Sequence, residues 1–370
     1  MEIKDIIEYE TNSDIKELEL EIKYFKSRNL YLAKYNKEIN DLTNTFVRNI
    51  RSVIFSKERK KLLAMSPNKS DNVDKQNFKY ISDNWNNILV EEFIDGTMIN
   101  LFYNDGKWCI ATRSFIGGDN TWVHTKTFGI MFEEAFKYMK ISYDIFDKNI
   151  SYTFVLMHPN NRIVYKYFKP TVKLVQAVLI SENNDVEYLD YHKIGQELGI
   201  ATPDILLFDN LNEALNKVKT LPFYYQGYVL KICNSRYKIR NKLYNKVKKI
   251  RGNTASIETR YIELRKENKV KDFLNYYKEY SDKCQKIKTM IHTLTSDVYF
   301  HYKNFYLFKN KDYVIPTYFK KICENLYDFY HIKKVLHPKN FHITYKDTIF
   351  YINQLNVNVI LSSINKIYCE

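Results

Sequence analysis

The sequence predicts an α+β fold, with an antiparallel, sheet-rich domain followed by a mostly helical carboxy-terminal domain. Three features support this. Short runs rich in β-branched and aromatic residues recur between turn residues from Arg51 to Ile232. Two helical patches interrupt them, which argues against a doubly wound parallel sheet. Beyond Asn253 the chain changes to a Lys-, Glu- and Tyr-rich pattern of helical period. With 370 residues, 45% of them hydrophobic, the chain can bury two cores.

Taken in order, residues 1–48 read as a helical extension, because Ile6, Ile7, Leu18, Leu20, Ile22 and Tyr24 are interleaved with charge and neither Gly nor Pro intervenes. Residues 49–252 form the sheet domain, with strands expected at RSVIF, KLLAM, ILVEEF, MINLFY, KWCIATR, SYTFVLM, RIVYKYF, KLVQAVLI and GYVLKI. Asn104-Asp105-Gly106 lies between two of them and suits a tight turn of positive φ, hence a hairpin. The helical patches are Thr127 to Met139 and Tyr191 to Leu198. Residues 253–370 form the helical domain, broken near Pro316 and Pro338. Its Tyr299, Phe300, Tyr302, Lys303, Phe305, Tyr306, Phe308 and Lys309 have helical spacing, which favours a core or a protein-partner interface over RNA stacking.

The 57 Lys and Arg outnumber the 43 Asp and Glu, for a net charge of +14, which favours RNA or another polyanion as partner. An acidic membrane surface would suit the same charge. No run of 18 or more apolar residues offers a membrane span, and the amino terminus is too acidic for a signal peptide, so a cytoplasmic protein without a membrane partner is expected. The five cysteines are far apart and form no C-x-x-C pair, so neither a disulfide scaffold nor a zinc ribbon is suggested. The histidines at 124, 192, 292, 301, 331, 337 and 342 lack metal-ligand spacing, and no metal site is assigned.

Set side by side, FIDGT (93–97), TRS (112–114), TFVLMHPNNRIV (153–164), QGYVLK (226–231) and KIRNKLY (238–244) resemble, in order and spacing, the motifs of the bacteriophage-type ATP-dependent RNA ligases. RSVIF with SPNKS is similar to the segment that precedes them. The resemblance covers roughly residues 50–245 and is strongest to ligase-like proteins of large DNA viruses, which implies a viral protein with an RNA-ligase-like nucleotidyltransferase domain. In that family a lysine in K-x-D-G attacks the α-phosphorus of ATP, glutamates in F-E-F and E-G-x-V serve metal and ribose, and a K-x-K pair meets phosphate. Covalent catalysis of this kind splits a difficult joining reaction into easier steps, with cations and Mg²⁺ stabilising charge on the phosphates.

This chain departs at the positions that matter most. Phe93 stands at the nucleophile position, Val155 at the F-E-F glutamate and Gln226 at the E-G-x-V glutamate. None replaces what is lost, since phenylalanine has no nucleophile, valine accepts no hydrogen bond and a neutral amide is a poor Mg²⁺ ligand. The resemblance leaves Asp95, Gly96, Arg113, Lys231, Lys238 and Arg240 as nucleotide- or RNA-binding residues. Gly96 would let a ligand approach the backbone, and Lys238 and Arg240, two apart on a strand, would share a face. The expected function is thus an RNA-ligase-like pseudoenzyme that binds nucleotide or RNA ends. One alternative is an active ATP- and Mg²⁺-dependent ligase with a relocated nucleophile, drawn from Lys69, Lys107 or Lys126, and with Glu91 or Glu92 replacing a lost carboxylate. Another is a structural or assembly protein that retains only the fold. His158 and Arg162 are read as part of a turn through Pro159, Asn160 and Asn161, ahead of an acid and a phosphate ligand.

Overall fold

The computed structural model describes residues 1–122, 126–336 and 342–368. His124, His337, Pro338 and Cys369 therefore lie outside the described residues. The chain divides into two compact units, Met1–Lys248 and Lys249–Glu370. The first mixes antiparallel sheets with helices and the second is helical, so the α+β class holds.

The first unit opens with a four-stranded antiparallel sheet of β1 (Glu21–Phe25), β2 (Leu30–Lys34), β3 (Val53–Ser56) and β4 (Lys61–Met65). Residues 1–48 are thus not a helical extension. Their α-helical or 3₁₀ turns are short, as at Ile3–Glu8, Ser13–Lys16 and Thr45–Asn49, and β1 and β2 pair as a hairpin. The physical reason is that this hairpin turns through Asn29 at φ 50° instead of a glycine, while β1, an edge strand, buries only Phe25 and so shows almost no alternation.

The later strands are β5 (Asp71–Asn72), β6 (Leu89–Glu92), β7 (Thr97–Asn104), β8 (Lys107–Thr112), β9 (Ile150–Met157), β10 (Thr171–Ile180), β11 (Val186–Leu189), β12 (Gly227–Ile232) and β13 (Ser235–Arg240). They form two sheets, ordered β11-β10-β9-β7-β8 and β5-β13-β12-β6. The pairing is antiparallel except between β5 and β13. Asp105 and Gly106, at φ 49° and 77°, make the two-residue turn between β7 and β8 that Asn-Asp-Gly predicts. RIVYKYF, in contrast, is a loop. The Val164 and Tyr165 amides donate to the Asp95 carboxylate, which takes them out of any ladder.

Helix α1 (Phe128–Met139), capped by the Thr127 side chain, buries Phe128, Met131, Phe132, Ala135 and Phe136 at helical spacing against β9 and β10. Helix α2 (Tyr191–Leu198) lies where expected, between an Asp190 cap and Gly199 at φ 66°. Helix α3 (Leu211–Lys219) buries Leu211, Ala214 and Val218, and α4 (Lys242–Arg251) runs through the point where the units divide.

The second unit contains α5 (Ile257–Lys266), α6 (Val270–Tyr276), α7 (Ser281–Tyr302), α8 (Thr317–Leu336), α9 (Tyr345–Gln354) and α10 (Val357–Tyr368). Helix α7 is its axis, burying Cys284, Ile287, Ile291, Leu294, Val298 and Tyr302 against α5, α8, α9 and α10. Pro316 immediately precedes α8, a position that needs no amide donor. The aromatic stripe divides. Tyr302 is buried and Tyr306 stacks on Tyr327 with ring centroids 4.4 Å apart, whereas Phe300, Phe305 and Phe308 are exposed.

Candidate functional site

Four strands of the first unit, with the segments beside them, converge on one cleft. The chain leaving β6 delivers Phe93 to Gly96 on its way to β7, β9 faces that segment with Val155, and Gln226, just before β12, and Arg240, at the end of β13, complete it. The cleft encloses about 220 Å³, and Arg51, Arg236 and Lys248 also line it. Phe93, Val155 and Gln226, which stand where the resemblance expects a lysine and two glutamates, therefore line one site, although they are far apart in sequence. The Arg240 guanidinium lies 5.1 Å from the centre of the Phe93 ring, a cation–π arrangement.

The cleft's charge is mostly unmatched. Burial, then repulsion from Arg236, Arg113 and Arg240, pulls Arg51 down to about 10. Burial, then Arg240, Lys69 and Lys37, pulls Lys238 down to about 8. Lys37 and Lys248 are lowered in the same way, by burial and then by neighbours that include Arg113 and Arg240 respectively. Only Lys69 in this group has a carboxylate at ion-pair distance among the described residues, Asp71 at 2.9 Å. Arg113, over the Tyr35 ring at 5.1 Å, and Arg236 each bury an Nε that lacks a hydrogen-bond partner among the described residues. Buried groups of this kind are usually satisfied. Lys238 and Arg240 do share a face of β13, and Lys238 donates to the Ser70 carbonyl at 2.5 Å.

The carboxylates are already engaged. Asp95 is 4% exposed and accepts from the Val164 and Tyr165 amides at 3.0 and 2.8 Å and from the Tyr244 hydroxyl at 2.7 Å. Glu91, on the buried face of β6, meets Lys231 Nζ at 2.9 Å and His192 Nε2 at 2.8 Å. Glu92 meets Lys173 Nζ at 2.9 Å. Lys231 also donates to the Tyr191 hydroxyl at 2.5 Å; burial outweighs Glu91's attraction and lowers its amine to about 8. It lines an adjoining recess that shares Arg236 with the cleft. Among the described residues no three His, Cys, Asp or Glu converge as metal ligands.

Gly96 also has a structural use within the sheet. A Cβ there would lie 2.5 Å from the Leu156 carbonyl oxygen and 2.6 Å from Val155 Cγ1, so its bare backbone makes room for strand β9. Of the relocation candidates, Lys107 is exposed at the β7–β8 turn and Lys126 pairs with Glu134 at 2.6 Å. His158 serves the turn, accepting from the Asn160 amide at 3.0 Å and meeting Glu134 at 2.8 Å, and Arg162 donates to the Val164 carbonyl at 3.0 Å. Sequence reasoning missed Arg51, Arg236, Lys248 and His192 as members of these networks. For Arg51 there was a signal, since it heads the segment set beside the family's region upstream of the nucleophile.

No family model matches the chain. Over 227 residues it is 28% identical to an immediate-early protein ICP-46 homolog of Invertebrate iridescent virus 6, a stretch that makes up 53% of this chain and 47% of that protein. The chain thus spans about half the length of the curated relative it matches. Similar solved structures include an RNA ligase of Naegleria gruberi with PPi (TM-score 0.39, 14% identity, 49% of this chain and 57% of that one). Another is a putative ATP-dependent DNA ligase from Aquifex aeolicus (TM-score 0.45, 12% identity, 74% of this chain and 75% of that one). With TM-scores under 0.5, these likenesses say nothing of this chain's chemistry. Among the described residues, no helix is long and apolar enough to cross a membrane.

Proposed function

We propose that the cleft binds the phosphates of a nucleotide or an RNA end, on an RNA-ligase-like scaffold that no longer forms a lysyl-AMP. The observation that carries this is the gathering of Arg51, Arg236, Arg240 and Lys248 in the cleft lining, with Lys37, Arg113 and Lys238 near enough to repel them or be repelled, none with a carboxylate at ion-pair distance among the described residues. Cations that repel one another cost folding free energy, and a polyanion removes that cost on binding. Phe93 supplies no nucleophile. The donor set does not suit Mg²⁺ either, because Val155 has no ligand atom, Gln226 is neutral, Asp95 holds three hydrogen bonds, and Glu91 and Glu92 are tied to lysines. No metal-assisted step is derived.

The test is to titrate the full chain with 5′-phosphorylated RNA over a range of salt. Log affinity should fall linearly with log salt, by a slope of about −0.7 per phosphate contact on a single strand. Arg51→Ala with Arg240→Ala should weaken binding at least about tenfold and flatten that slope by roughly one contact per residue removed. Unchanged binding in the double variant would remove the cleft from consideration.

A second possibility, a working nucleotidyltransferase with a relocated lysine, is favoured by Lys231 and Lys238, whose lowered values leave more neutral amine near neutral pH than an ordinary lysine has. Incubation with α-labelled ATP or GTP and Mg²⁺ or Mn²⁺ decides between the two. Label that survives denaturation would establish the second and sink the first, and its absence beside an active ligase control would do the reverse.

A further inference from the structure

Beside the cationic cleft lies a recess of about 410 Å³ that shares Glu92, Phe93, Asp95 and Gln226 with it. Its outer wall is tyrosine. Tyr165 and Tyr167 come from the loop after β9, and Tyr224 and Tyr225 from the segment before β12. The rings touch in series, with centroids 4.6 Å apart for Tyr165 and Tyr167, 5.7 Å for Tyr165 and Tyr224, and 5.3 Å for Tyr224 and Tyr225. Yet this is no core, for Tyr165, Tyr224 and Tyr225 remain 37%, 39% and 43% exposed.

The loop is held in place. The Asp95 carboxylate accepts from the Tyr165 amide at 2.8 Å, and the Asp95 carbonyl accepts from the Tyr167 hydroxyl at 2.6 Å. Aromatic faces fixed in this way spend little conformational entropy on binding. Gln226 stands where the recess meets the cleft, and its side-chain amide can both donate to and accept from the edge of a base.

A row of exposed aromatic faces next to a groove of unmatched cations is the pairing that single strands require, with bases stacked on rings and phosphates screened by lysine and arginine. A duplex keeps its base faces covered. We infer that the tyrosine recess is a nucleobase subsite, and that the ligand of this site is a single-stranded polynucleotide whose phosphates lie on the cations and whose bases lie on Tyr165, Tyr224 and Tyr225. The inference rests on the phosphate-binding function proposed above. The rings and cations are too many for one base and one phosphate, which is why a strand fits better than a mononucleotide.

The test compares two probes on the full chain at fixed salt: a 5′-phosphorylated oligouridylate of about eight nucleotides, within the usual range of single-strand site sizes, and an abasic ribose-phosphate strand of equal length. The abasic strand should bind on the order of tenfold to a hundredfold more weakly, with a similar salt slope. Equal affinity overturns the nucleobase subsite and leaves the phosphate cleft standing. Failure of both strands to bind in a salt-dependent way overturns both proposals. Uridine monophosphate binding as tightly as the oligouridylate overturns the choice of a strand. Tyr165→Ala with Tyr224→Ala should lower oligouridylate affinity by a similar factor while leaving the abasic strand unaffected, and Tyr165→Phe with Tyr224→Phe should keep it. Wild-type affinity in a folded alanine variant would also overturn the subsite.

Discussion

Along β6 each carboxylate has cations beside it, with Glu91 between Lys231 and His192 and Glu92 against Lys173. Elsewhere in the same cleft, around Arg51 and the end of β13, cations face mostly one another. The first arrangement is complete within the protein. The second would be completed by the phosphates proposed for the cleft. Buried charge is therefore not one kind of feature in this fold: it is matched within the protein along β6 and mostly unmatched around Arg51 and β13.

The largest expected effect tests the matched side. Glu91→Ala would leave the Lys231 amine, beside a carboxylate that is only 2% exposed, without its partner. Breaking a buried pair in this way costs about 3–5 kcal/mol, measured by chemical denaturation. Arg51→Ala on the unmatched side removes a charge that is repelled by its neighbours, so its cost should stay under about 1 kcal/mol, within the range of mild substitutions. Equal losses in the two variants would break the comparison.

A smaller effect comes with pH. Lys231 and Lys238 fall from an ordinary 10.5 to about 8 in the folded chain. Between those values the unfolded chain binds more protons than the folded one, so the contribution of these lysines to stability rises as pH climbs from about 8 towards 10.5, and their penalty is fully present below 8. RNA affinity should move the opposite way, falling as pH passes through about 8, because a neutral Lys238 amine no longer attracts phosphate. Lys238→Arg should flatten that fall in a binding titration, and an unchanged profile would exclude Lys238 from the interface. The smallest effect is the control. Lys193 and Glu197 form an exposed pair at 4.0 Å, and Lys193→Ala should change stability by less than about 0.5 kcal/mol.

Much of the sheet unit could be read in the sequence because its strands announce themselves. Asn-Asp-Gly marks the β7–β8 turn, and the helix at Tyr191 begins after Asp190 and ends before Gly199, with a capping side chain and a left-handed residue at its ends. The β1–β2 hairpin was hidden because Asn29 makes its turn and little of β1 is buried. RIVYKYF looks like a strand in composition, yet its amides bond to Asp95, 69 and 70 residues earlier, and local pattern cannot show such a bond. Phe93, Asp95, Gly96, Val155, Gln226 and Arg240, singled out by the motif order, line one cleft. That order did not show that Asp95 latches a loop or that Gly96 makes room for strand β9, because such residues are written with the same letters as residues that meet a ligand. Arg236 and Lys248 carried no motif at all; their part depends on which residues β13 and α4 bring to the cleft.

The hydrogen bonds to Asp95 also bear on how the chain folds. They join positions 69, 70 and 149 residues apart, the last through Tyr244. Closing loops of that length is slow compared with zipping up a hairpin such as β7–β8. On a ribosome, the cleft cannot lock until Tyr244 has emerged, so the cationic strands spend the preceding interval synthesised but not yet latched. A chain cut short before that residue would be expected to form its hairpins and still lack a finished cleft.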